Sequence, residues 1–177
     1  MSDSQENQYP QFLAIDASSY EAEAHPISIA WSLSDGSIKT TMIQPEDDWQ
    51  DWDYALEDLH GINQDTLFQM GETGGSVIRE FEYDCNNTHF LVHESEILME
   101  LLDKLYDAYG KEPPVELVKA QDWFPENRNS YDDIQQTFFD VQNELALDIN
   151  RCEDRVRIML EAWVRQQQEQ EHLYTEL

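Results

Sequence analysis

Two cysteines and five histidines have the widest catalytic range in this chain, and none stands in a constellation that announces a reaction. Cys85 and Cys152 form no metal-binding pair motif and are too few for a disulfide framework, so a reduced, cytoplasmic setting is the simplest expectation. His60 precedes Gly61-Ile62 with no acid or nucleophile at a readable spacing. Gly61 reads as a turn residue and Ile62 as packing. His93 and Glu94 close an apolar run, where polar residues ordinarily end a strand rather than exchange protons. Ser18 and Ser19 are placed to touch a phosphate or, more simply, to cap a turn. Trp31, Trp49 and Trp52 offer faces on which bases can stack, yet such aromatics more often fill a core. Gly71-Glu72-Thr73-Gly74-Gly75 lacks the lysine and spacing of a phosphate-cradling loop.

Charge narrows the classes further. The 177 residues carry 38 acidic against 10 basic side chains, a formal net charge of −28. Such a field repels phosphates, disfavours non-specific nucleic-acid binding and favours basic partners or a salty medium. The acidic runs Glu21-Ala22-Glu23 and Glu46-Asp47-Asp48 read as solvated surface, or as a phosphate mimic if they align in space. With 40% hydrophobic residues the chain can bury a core. No apolar run is long enough to span a bilayer, and residues 1–10 read as a polar, disordered leader rather than a signal peptide.

The elements that must position any site follow from periodicity. Gln11–Asp16 is a short apolar run, a buried strand. Pro26–Leu33 alternates, Ser34-Asp35-Gly36-Ser37 turns the chain, and Ile38–Gln44 returns, giving an antiparallel meander. Helices are expected over Trp52–Leu59, Gln64–Met70 and Ser76–Tyr83, then a strand at Thr88–His93. An amphipathic helix over Ile97–Tyr109 ends at Gly110, and Val115–Val118 is the fifth strand. Two helices, Tyr131–Leu147 and Arg151–Gln167, complete one domain over residues 11–165, with 166–177 a polar helical tail. Strands that meander and then alternate with helices predict an α/β fold, one five-stranded mixed sheet covered on both faces.

Two stretches carry a family resemblance. Phe12-Leu13-Ala14-Ile15-Asp16-Ala17-Ser18-Ser19 and Pro26-Ile27-Ser28-Ile29-Ala30-Trp31 resemble the first two strands of a bacterial subgroup of the DEDD (DnaQ-like) 3′–5′ exonucleases. The block Ile43, Pro45, Trp49, Asp51-Trp52-Asp53, Ala55, Glu57, His60-Gly61-Ile62, Leu67 and Gly71 falls in that family's order and spacing. The resemblance implies an RNase H-like fold. It also implies phosphodiester hydrolysis by two divalent metals, Mg or Mn, clamped by several carboxylates with a histidine as general base.

Carried over residue by residue, the resemblance delivers little of that machinery. Ala14 and Asp16 stand at the Asp-x-Glu positions of the first strand. Leu98 stands at the Asp position after the fourth strand, Asn150 at the histidine and Arg155 at the last Asp; a shift of one residue puts Ile149 and Asp154 there instead. Asp16 and Asp154 are then the remaining metal ligands, with Glu94 or Glu96 the carboxylates a rearranged site would borrow. The leading expectation is a non-catalytic binding or scaffold protein with a protein partner, no cofactor and no membrane. The alternatives are a weak metal-dependent 3′–5′ exonuclease on single strands, and an acidic nucleic-acid mimic that occupies a basic protein groove.

Overall fold

The computed structural model describes residues 8–93, 95–123 and 131–175, so Glu94 and residues 1–7 of the expected leader lie outside the described residues. The chain folds into alternating strands and helices. In order they are β1 (Leu13–Ala17), β2 (Pro26–Ser32), β3 (Ile38–Met42), α1 (Tyr54–His60), α2 (Gln64–Met70), α3 (Gly74–Asp84), β4 (His89–Val92), α4 (Ser95–Asp107), β5 (Glu116–Lys119), α5 (Tyr131–Glu144) and α6 (Cys152–Thr175). A short 3-10 turn, Ala120–Trp123, follows β5.

The meander forms as its alternation requires, with β1 pairing β2 and β2 pairing β3, both antiparallel. β4 and β5 pair in parallel, and α4 supplies the crossover that a parallel connection needs. The expected single sheet is instead two ladders, three strands and two. They meet at one parallel bridge, Phe12 to Leu91, where the Leu91 N–H donates to the Gln11 carbonyl at 2.8 Å. The reason is local. Four-residue β4 is bridged to the meander at the entry to β1, and the buried Gln11 side chain spans the junction. Its amide donates to the Ser32 and Asp84 carbonyls at 3.0 and 2.8 Å and accepts from the Asn86 N–H at 2.9 Å.

Strand alternation divides the core in two. Leu13 and Ile15 pack with Val77, Ile78 and Phe81 of α3 and Leu101, Leu102 and Leu105 of α4. Phe12 and Ala14, on the opposite face, pack with Phe138 of α5 and Val156 and Met159 of α6. Asp16 follows Ala14 by two, so it shares the α6 face.

Helix ends depart from expectation where capping decides them. α1 starts at Tyr54 rather than Trp52 because the Asp53 carboxylate accepts the Ala55 N–H. α3 includes the two glycines expected as a break, since Thr73 caps it and the Tyr109 ring lies where side chains at Gly74 and Gly75 would project. α4 lies two residues earlier than Ile97–Tyr109, and α5 ends at Glu144 with Ala146 in positive φ. α6 runs unbroken past Gln167, and Gln166 is buried. Within the expected leader, the Tyr9 N–H donates to the Ser34 carbonyl at 2.9 Å and its ring sits edge-on to Trp163.

Gly71 gives a sharp prediction. A Cβ there would lie 2.4 Å from the Leu67 carbonyl oxygen and 2.7 Å from the Gln44 nitrogen, both backbone atoms. Gly71→Ala should therefore destabilise by about 2 kcal/mol or more, as overpacking against groups that cannot rotate away does. Urea melts check this, and a loss under about 0.5 kcal/mol would contradict it.

Candidate functional site

The chemistry-bearing positions converge where β1 ends against the start of α6. The Arg155 guanidinium lies 2.8 Å from the Asp16 carboxylate through Nη2. The same group donates to the Ile15 carbonyl and, through Nη1, to the Ile149 carbonyl, each at 2.9 Å. The other Asp16 oxygen accepts the Cys152 N–H at 3.0 Å, where its negative charge meets the first turn of α6. Asp16 is 7% exposed and the Arg155 side chain 24%, so the pair is partly desolvated, and both Asp16 oxygens have a hydrogen-bond donor.

Two cavities flank this pair. The larger, about 600 Å³, is lined by Ala14, Leu98 and Arg155 together with Phe138, Ile158 and Met159. Leu13, His93, Gln135, Gln136, Phe139, Gln142 and Ile149 complete its wall. The smaller, about 240 Å³, lies on the Asp16 side, with Ser28, Thr40, His60 and Cys152 in its lining. Burial pushes the Cys152 thiol up to about 12, so it is a protonated core group rather than a nucleophile. His60 Nδ1 accepts the Ile62 N–H at 3.0 Å, which leaves the ring proton on Nε2. Burial lowers the His60 pKa.

The remaining expected residues take structural places. The Asp154 carboxylate accepts the Asp148 N–H at 2.8 Å, and the Asn150 N–H donates to the Asp148 carboxylate at 2.9 Å. Both tie the loop before α6, and neither lines the large cavity. Glu96 is exposed on the first turn of α4. The Ser18 hydroxyl donates to Asp51 at 2.7 Å and accepts the His25 N–H, while Ser19 accepts the Glu21 N–H, so both serines bind protein groups. Trp31 is fully buried with its Nε1–H on Asp84 at 2.9 Å, Trp49 stacks on His25 with ring centres 5.4 Å apart, and Trp52 donates to Glu57.

His25 provides a pH-dependent observable. Its Nε2 lies 3.0 Å from the Asp51 carbonyl and its Nδ1 3.3 Å from that of Pro26. Burial is the largest influence and lowers its pKa, reinforced by Lys104 and opposed by the two carbonyls and the Asp51 charge. A lowered folded pKa means that the unfolded chain binds the proton more tightly. The contribution of His25 to stability is thus present above the ordinary histidine value of about 6.5 and is lost as pH falls below it. An NMR titration of the ring should give a midpoint below 6.5, and a midpoint at or above 6.5 would contradict the burial argument.

Sequence reasoning placed Ala14, Leu98 and Arg155, positions far apart in the chain, and the fold brings all three to one cavity. It missed the aromatic and aliphatic wall from α5 and α6. One signal was present. Adjacent residues on a helix point about 100° apart, so Phe138-Phe139 cannot both enter one narrow core face.

No known family profile and no curated protein matches the chain. Solved structures do. The chain resembles a 3′-exonuclease solved in a study of histone mRNA stem-loop recognition, with a TM-score of 0.67 at 15% identity over 92% of this chain and 83% of that one. It matches a full-length 3′-exonuclease at TM-score 0.64 and 16% identity, with the same coverage. It also matches E. coli exonuclease I in its zinc-bound complex with single-stranded DNA, at TM-score 0.64 and 14% identity over 95% of this chain. There it spans 43% of the larger protein. The chain therefore has the α/β fold of 3′-exonucleases.

Proposed function

We propose that this chain is a non-catalytic binding protein of the DEDD exonuclease superfamily, nearest its bacterial subgroup, whose nuclease centre has become an ion pair beside an apolar cavity. The two ladders then correspond to one split RNase H-like sheet. A single observation carries the reading. The Arg155 guanidinium holds Asp16 at 2.8 Å, at the spot where the resemblance would gather carboxylates around two cations.

The donor set does not fit the metals that such a fold implies. Ala14 and Leu98 offer no oxygen, and one Asp16 oxygen faces Arg155 while the other accepts an N–H. Arg155 adds a positive charge that opposes a cation. Among the described residues, no group of three or more His, Cys, Asp and Glu side chains is arranged to hold a metal ion. With that charge balance, a protein partner in the cytoplasm fits better than nucleic acid. No helix among the described residues is long and apolar enough to cross a membrane.

Calorimetric titration with Mn²⁺ tests the reading. The expected result is no stoichiometric site of sub-millimolar affinity. A site of that strength, lost in Asp16→Ala, would overturn it.

A further inference from the structure

We infer that the large cavity is the docking groove for a cationic, amphipathic segment of a partner protein, an inference that rests on the non-catalytic reading above. Three observations lead there. The groove is apolar, with Leu98, Phe138, Ile158 and Met159 in its wall, and its volume of about 600 Å³ has room for more than one large side chain. The apolar surface continues outward, since Phe139 and Ile149 line the groove yet are 58% and 52% exposed. Such a patch on a strongly acidic chain is costly to leave facing water unless something covers it.

Charge selects the occupant. Arg155, the cation in the groove wall, is neutralised by Asp16. Nearby Arg165 and Arg151 are paired with Glu144 and Asp148. What remains is the field of a chain with net charge −28. That field repels nucleic acid, other anions and a second copy of this chain, and it draws in cations. A segment with apolar side chains along one face and lysines or arginines along the other satisfies both the groove and the field.

The test uses the intact chain and defined peptides, followed by fluorescence anisotropy. An 18-residue Leu/Lys peptide of helical spacing should bind one-to-one with micromolar affinity. A Gly/Lys peptide of equal charge and a Leu/Glu peptide of equal pattern should bind at least about tenfold more weakly. Phe139→Ser with Ile149→Ser, two half-exposed positions, should weaken the Leu/Lys peptide about tenfold or more, at about 1.4 kcal/mol per tenfold. The Met159 methyl NMR signal should shift on binding in the unaltered chain. Equal binding of the Gly/Lys peptide, indifference to the double substitution, or an unmoved Met159 methyl would overturn the inference. So would tighter binding of a single-stranded oligonucleotide, or occupation of the groove by a second copy of the chain. A nuclease assay separates the two levels. No cleavage and no peptide binding sinks the docking groove alone, whereas cleavage abolished by Asp16→Ala sinks the reading beneath it.

Discussion

Arg155→Met should destabilise the fold by about 3 kcal/mol, the low end of what removing one partner of a buried ion pair costs, since the Arg155 side chain keeps some contact with water. The substitution keeps length and apolar contact, so the loss reports the charge. Asp16 would remain 7% exposed with the Cys152 N–H as its hydrogen-bond donor, and the Ile15 and Ile149 carbonyls would each lose a donor. A second variant separates the pair from its parts. Arg155→Met with Asp16→Asn removes both charges, so it should be more stable than Arg155→Met alone, the non-additivity that a direct interaction produces. Urea melts at neutral pH give both values. A cost below about 0.5 kcal/mol for Arg155→Met would place the pair among weak, solvent-screened surface bridges instead.

The second large effect concerns metal. Ala14→Asp, Leu98→Asp and Arg155→Asp together would put three new carboxylates around Asp16. Without a cation these charges repel one another in a poorly hydrated site, so the variant should be severely destabilised. Mn²⁺ should then rescue it. A ligand that binds only the folded state at a hundred times its dissociation constant adds about 2.7 kcal/mol. For a domain of this size that raises the melting temperature by about 5–10 °C. The unaltered chain should show no such rise, and neither should any of the three single substitutions, because one added carboxylate beside Asp16 cannot offset two cations. A Mn²⁺-dependent rise in the unaltered chain, or none in the triple variant, would contradict the assignment of these positions.

Local pattern exposed much of the fold and little of the site's present chemistry. The apolar run at β1 is what burial on both faces of a sheet produces, and the alternation of β2 is a period-two signal. Helix existence was legible from apolar residues at three- and four-residue spacing, whereas the ends were set by single capping contacts such as Asp53 to Ala55. The division of the sheet depends on the Gln11 side chain reaching groups 21 to 75 positions away, and no local period encodes that. The Asp16–Arg155 pair is likewise non-local, spanning 139 positions. Its sequence sign was the basic residue at a position where the resemblance implies an acid. Asn150 and Asp154 show the limit of that approach. Both fall near the expected register, yet the Asp154 carboxylate and the Asn150 N–H bind Asp148 in the loop that starts α6.

The most direct test of the central claim incubates the purified chain with 5′-labelled single-stranded DNA and RNA in millimolar Mg²⁺ or Mn²⁺, with Asp16→Ala alongside. A site closed by Arg155 and faced by Ala14 and Leu98 should leave both substrates intact, and the two proteins should be indistinguishable. Stepwise shortening from the 3′ end by the unaltered chain, abolished by Asp16→Ala, would contradict the account and place working carboxylates at positions not identified here.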